Sequence, residues 1–88
     1  MTRREQNLAD IAEIAAAHGT TTAWIFSRIQ QSEVVRARHH CFWHLRGRGY
    51  KYQQIAKIMG GFSHSSVMYG VAQHEGRRGH TGRVPPAG

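Results

Sequence analysis

Cysteine, proline and carboxylates are all scarce in this chain of 88 residues. It has one cysteine, two prolines and five Asp/Glu. Cys41 has no second thiol, which excludes an internal disulfide or a cysteine metal knuckle and suits a reducing compartment. No long apolar run follows the Arg3-Arg4 pair, so the N-terminus reads neither as a signal peptide nor as a membrane span. There is no Gly-x-x-x-x-Gly-Lys-[Ser/Thr] loop, and 88 residues are too few for a nucleotide-hydrolysing module. There is also no internal repeat, and no alternating run long enough for a sheet. A hydrophobic content of 40% is still sufficient for a folded domain.

The shortage of carboxylates is uneven. Residues 1–33 carry three arginines against four carboxylates, a net charge of −1. Residues 34–88 carry nine Lys/Arg against Glu75 alone, a net charge of +8. A field concentrated in one part of the chain points to a polyanionic partner.

The apolar pattern is helical nearly throughout. Leu8, Ile11, Ala12 and Ala15 fall at i, i+3, i+4 and i+7, which predicts an amphipathic first helix with these four inward. Thr2 and Glu5 have capping-box spacing, and Gly19 is a stop. The run Thr20-Thr21-Thr22 supplies an N-cap for a short helix holding Ala23, Trp24, Ile25 and Phe26, with Trp24 and Phe26 expected in the core. Residues 28–33 read as a loop. A third helix is predicted over 34–46, with Val34, Ala37, Cys41 and Leu45 on one stripe. Phe42 and Trp43 flank that stripe, and the pattern does not say which is buried. Gly47 and Gly49 end the helix. Tyr52, Ile55, Ala56 and Met59 repeat the same spacing and predict a fourth helix over 51–59. Gly60-Gly61 breaks the chain, and Ser63 is a suitable N-cap for a fifth helix with Val67 and Val71 inward. From Gly76 onward the composition reads as a flexible basic tail or linker, so the folded domain is placed at 1–75 and the tail at 76–88. The fold class expected is all-α, with about five helices.

The last two helices have the features of a helix-turn-helix spanning about 51–74. Ala56 is the small residue at the crossing, Gly60-Gly61 the bend, and Ile55, Met59, Val67 and Val71 the apolar seam. Gly70 permits close helix approach. The first turn of the second helix reads Ser63-His64-Ser65-Ser66. Short hydroxyls and an imidazole leading into a major groove suit base edges and thymine methyls, and backbone N–H groups at the same end suit phosphate.

Residues 60–67, Gly-Gly-Phe-Ser-His-Ser-Ser-Val, resemble the signature of the C-terminal DNA-binding domain of the bacterial replication initiator DnaA, which reads Gly-Gly-Arg-Asp-His-Thr-Thr-Val in most members. Tyr52-Gln-Gln-Ile-Ala-Lys-Ile-Met59 is similar to the family's first motif helix, and Val34-Val-Arg-Ala-Arg38 to its Val-Ala-Arg-Pro-Arg entrance to the long helix. The resemblance covers about residues 8–75 and is specific over 52–71. It implies a Trp-repressor-like helical domain that binds double-stranded DNA as a monomer, reading the major groove with a helix and the minor groove with a basic loop. Carried over by position, His64, Ser65 and Ser66 stand in the base-reading turn. Ser63 takes the place of the aspartate and Phe62 that of the arginine. Arg38 and Arg46 match phosphate-holding positions, and Tyr52 and Gln53 fall where the first motif helix touches DNA. Arg48 and Lys51 complete the basic set. The family's Arg/Lys-rich loop is here Ser27-Arg28-Ile29-Gln30-Gln31-Ser32. Gln30 lies near the minor-groove arginine, with Arg28 or Arg36 as alternative substitutes. The expected role is a regulator of transcription in phage or phage-like genes, located in the cytoplasm at the nucleoid. Recruitment of RNA polymerase or another protein is one route open to it. Occupying sites of the host initiator, as a modulator of replication, is the second reading.

Competing features point elsewhere. His40 and His44 lie one turn apart beside Cys41, but a closed metal site needs four ligands, so no metal or other cofactor is expected. Cys41 sits on the apolar stripe, which suits a packing role rather than a nucleophile paired with His44, and no enzyme activity is expected. Tyr50 and Tyr52, interleaved with Arg48 and Lys51, could stack on unpaired bases of RNA. A protein-interaction module with a basic face is the third class.

Overall fold

The computed structural model describes residues 1–81 and contains five helices and no strand among them: α1 (Arg3–Ala17), α2 (Thr22–Phe26), α3 (Ser32–Gly47), α4 (Tyr52–Ile58) and α5 (His64–Thr81). Side chains before α1 and α2 close the helix starts. Thr2 Oγ1 accepts from Glu5 N–H while the Glu5 carboxylate accepts from Thr2 N–H, which completes the capping box. Thr21 Oγ1 accepts from Trp24 N–H.

Helix α3 is the axis of the fold and packs against each of the other four. Its stripe of Val34, Ala37, Cys41 and Leu45 is buried as the spacing predicts. Phe42 also turns inward, while Trp43 is half-buried and donates its indole N–H to Glu75. The helix begins at Ser32, two residues before the predicted start. Burial raises the Cys41 thiol to about 12, so it has the character of a core methyl group rather than of a nucleophile.

Two expectations about the core are corrected. In α1 the buried face is Asn7, Asp10, Ile11, Ile14 and Ala15. Leu8 is 38% exposed and Ala12 lies outside. The helix is turned by polar anchors that apolar spacing does not register: Asn7 Nδ2 donates to Tyr50 Oη at 2.9 Å, and Asp10 faces His44 and Arg48 of α3 and the turn after it. In α2 the inward position belongs to Ile25, which is fully buried, whereas Trp24 is 45% exposed. A five-residue helix has one inward face, and Ile25 fills it. Phe26 packs half-buried against the core, as expected.

Between α4 and α5 the chain reverses at Gly60 and Gly61, with φ of 98° and 95°. That left-handed backbone favours glycine, and the amides of Gly61 and Phe62 both donate to the Ala56 carbonyl. Ile55, Ala56, Met59 and Val67 close the seam. Helix α5 then crosses α3 at Gly70, where a Cβ would lie 2.5 Å from Phe42 Cδ2. The helix runs past Gly76 to Thr81, so the folded segment extends beyond the boundary read from composition. Contacts of Glu75 with Trp43 and of Arg77 with His39 tie this stretch to α3. The rest of the predicted tail, 82–88, lies outside the described residues. No helix among the described residues is long and apolar enough to cross a membrane.

Candidate nucleic-acid interface

The turn entering α5 is held by its own hydroxyls. Ser63 Oγ accepts from Ser66 N–H at 3.0 Å and donates to Ser66 Oγ at 2.8 Å. This cap leaves His64, Ser65 and Ser66 exposed at a helix start whose first amides lie outside the helical ladder. Beside them the His64 ring lies 5.7 Å from the Tyr52 ring, and the Arg46 guanidinium sits 4.7 Å above Tyr52. Arg46 Nη1 donates to the Tyr50 carbonyl, which fixes the guanidinium in that position. Arg46, Tyr52 and His64, far apart in sequence, therefore form one chain of contacts, with half-buried Tyr52 between the exposed Arg46 and His64. Lys51 and Gln53 stand exposed at the first turn of α4, whose start is closed by Gln54 Oε1 accepting from Lys51 N–H.

On the other side of the turn lies a groove of about 550 Å³. Arg28 and Gln30 form one wall, and Ser63, Ser66, Tyr69, Gln73 and Arg77 the other. Tyr69, Gln73 and Arg77 line this groove and were not singled out from the sequence. They follow Ser66 at +3, +7 and +11, one face of a continuous helix; Tyr69 and Gln73 lie within the predicted motif, and Arg77 joins that face because α5 runs past Gly76. Tyr69 is 61% exposed, and its ring meets His39 of α3 edge-on at 5.9 Å.

Three of the expected cations have other settings. Arg38 is 4% exposed and sits inside the domain. Its Nε donates to the Ile25 carbonyl at 2.8 Å, and Nη2 to those of Ser27 and Ile29 at 2.7 and 3.1 Å. The role of surface phosphate clamp is thus corrected to that of an internal brace for residues 25–29. Arg48 is paired with Asp10 at 2.6 Å, so its charge is offset locally. That carboxyl is held below the usual carboxylate range, first by the hydrogen bond from His44, then by Gln6 and the Arg48 charge, against the opposing effect of burial. Arg36 lies in the field of His18, whose pKa is lowered first by burial and then by Arg77 and Arg36. The structure does not bring Arg36 to the His64 turn.

The competing features also separate. His40 meets His18 at 3.1 Å and stacks on His74, while His44 faces Asp10. Among the described residues no group of three or more His, Cys, Asp or Glu is arranged to hold a metal. Tyr50, offered as a stacking platform for RNA, is half-buried with its hydroxyl on Asn7.

Compared with known families, residues 9–73 match the model described as the bacterial dnaA protein helix-turn-helix. The chain belongs to that DnaA family. No curated protein and no solved structure matches it. Membership implies DNA binding, and it makes this chain's departures from the DnaA signature interpretable. Ser63, in the aspartate position, caps α5 through a neutral hydroxyl. Phe62, in the arginine position, is half-buried against Phe42, with ring centroids 5.5 Å apart.

Proposed function

We propose that this DnaA-type domain recognises a specific sequence in duplex DNA, with the first turn of α5 in the major groove and residues 27–31 over the adjacent minor groove. The observation that carries the reading is the joined surface of Arg46, Tyr52 and His64 beside the capped, exposed Ser65-Ser66 turn. Cations, an aromatic face and short hydrogen-bonding groups meet there at a helix start, the combination that serves phosphate positioning and base reading together. These 88 residues carry no nucleotide-binding loop, so what they supply is site recognition, and we assign it to transcription regulation in phage or phage-like genes. Retention of His64 from the initiator signature favours a second reading, competition for initiator sites.

Selection from random duplexes tests both. The expected winner differs from the initiator's usual box, because a Ser63 hydroxyl replaces a carboxylate suited to cytosine N4. Recovery of that box as the top sequence would favour the second reading. Affinity should fall steeply with added salt, as phosphate contacts require. Equal affinity for every duplex, or tighter binding to structured RNA at the same salt, would overturn the proposal.

A further inference from the structure

The loop at residues 27–31 and the turn into α5 are fastened to each other by one pair of side chains. The Arg28 guanidinium lies 4.1 Å from the centroid of the Phe62 ring, and its Nη2 donates to the Gly61 carbonyl at 3.1 Å. Phe62 rests in turn on Phe42 of α3. From below, Arg38 holds the carbonyls of Ser27 and Ile29 on either side of Arg28 and lies 5.2 Å from the same ring. Gln30 Nε2 closes the loop tip on the Arg28 carbonyl. Two guanidiniums thus meet one aromatic ring: Arg38 braces the loop from below, and the ring with Arg28 ties the loop to the turn before α5 and so bears on the width of the groove between them.

We propose that Arg28 and Phe62 act as a spacer: Arg28 is a positioning residue that fixes the distance between the loop and the recognition turn, and it does not itself grip phosphate or enter the minor groove. This rests on the duplex-binding reading above and adds to it a division of labour. An arginine at position 62, as in the signature, would put a third guanidinium beside Arg28 and Arg38 and repel both. Phe62 instead offers a ring face that attracts a cation. The loop's one arginine is committed to this contact, which leaves Gln30, exposed at the tip, as the side chain that meets the minor groove.

The test uses the full chain, the best duplex from the selection, and the variants Arg28→Lys, Phe62→Leu and their combination. Lys keeps the charge but loses the planar fork, and Leu keeps the apolar packing but loses the ring. Each single variant is expected to lose about fivefold in affinity, and the double variant no more than either alone, because both remove one contact. Dimethyl sulfate protection of adenine N3 in the minor groove should weaken while that of guanine N7 in the major groove persists. Without DNA, amide exchange at Ile29 and Gln30 should accelerate in Phe62→Leu. A merely structural residue would lower the melting temperature without splitting the two protections. Losses that multiply in the double variant, or a Phe62→Leu variant that binds like the parent, would overturn the spacer. If the parent binds no duplex, the DNA reading fails instead, and the spacer is then judged by exchange alone, where unchanged rates at Ile29 and Gln30 refute it.

Discussion

Two glycines of α5, six residues apart, invite the same substitution with opposite outcomes. At Gly70 a methyl group would sit 2.5 Å from Phe42 Cδ2, 2.8 Å from His39 Cδ2 and 3.1 Å from Phe42 Cε2. Carbon atoms pack at about 3.5–4.0 Å, so the ring must retreat by about 1 Å. Phe42 is 1% exposed and bears on Phe62, so it has nowhere to go without moving its neighbours. Overpacking of this kind costs about 1–3 kcal/mol, and here the backbones of α3 and α5 have to part, which favours the upper end. Alanine returns about 1 kcal/mol in helix propensity, leaving a net destabilisation of about 1–2 kcal/mol. At Gly76 nothing lies within 4 Å of the new methyl group and the site is exposed. Only the propensity gain applies there, and Gly76→Ala should stabilise by about 0.5–1 kcal/mol. Thermal unfolding followed by circular dichroism resolves both, since 1 kcal/mol moves the midpoint of a domain this size by about 4–8 °C. Gly70→Ala should fall below the parent and Gly76→Ala rise above it. A Gly70→Ala midpoint at or above the parent's would refute the close crossing of α3 and α5, and with it the geometry that presents His64, while a fall in Gly76→Ala would refute the open helical site at Gly76.

Three further outcomes follow from named contacts. Burial lowers His39 to about 4 from an ordinary 6.5. Between those two values the unfolded chain takes up a proton that the folded one refuses, so stability is full above pH 6.5 and falls as pH drops towards about 4, by on the order of 3 kcal/mol. Urea titrations across that range should show the slope, and His39→Gln should flatten it. Arg38→Met leaves the carbonyls of Ile25, Ser27 and Ile29 without their donor and should cost about 3 kcal/mol or more in the same assay, whereas loss of DNA affinity without loss of stability would restore Arg38 as a phosphate contact. Ser63→Ala should lose about 1 kcal/mol with the cap, while Ser63→Asp should keep the cap and move the selected sequence towards a cytosine opposite that position.

What the sequence made legible was local chemistry. The Thr2–Glu5 box, the Thr21 cap, the Gly60-Gly61 bend and the α3 stripe each depend on residues within one or two turns of one another, so their spacing is itself the evidence. The resemblance over 52–71 located the His64 turn by the same short-range means. Leu8 was misplaced because the rotation of α1 is set by Asn7 and Asp10 finding Tyr50, His44 and Arg48, partners more than thirty residues away. Arg38 was misread because its partners are main-chain carbonyls around the end of α2, which no side-chain pattern announces. Of the groove's second wall, Arg77 was missed because Gly76 looked like an end, whereas a helix anchored at Trp43 and His39 carries a glycine without stopping; Tyr69 and Gln73 were missed because the base-reading pattern covers the first turn of the helix alone.

The charge count that first pointed to a polyanion also needs rereading in the fold. Of the nine cations after residue 33, Arg38 faces inward and Arg48 is matched by Asp10 of the acidic first part. Arg28, which the segment sum places on the acidic side, stands at the groove wall. The field at the interface is therefore not a segment property: it is assembled by α3 bringing Arg46 to Tyr52 on one flank of the turn and by Phe62 holding Arg28 on the other. In both places a cation rests on a ring that is itself fixed by packing, so each charge arrives with its position already set. A surface of that kind gains less from the number of its charges than from their spacing, and spacing is what lets a weakly charged loop still contribute to sequence choice.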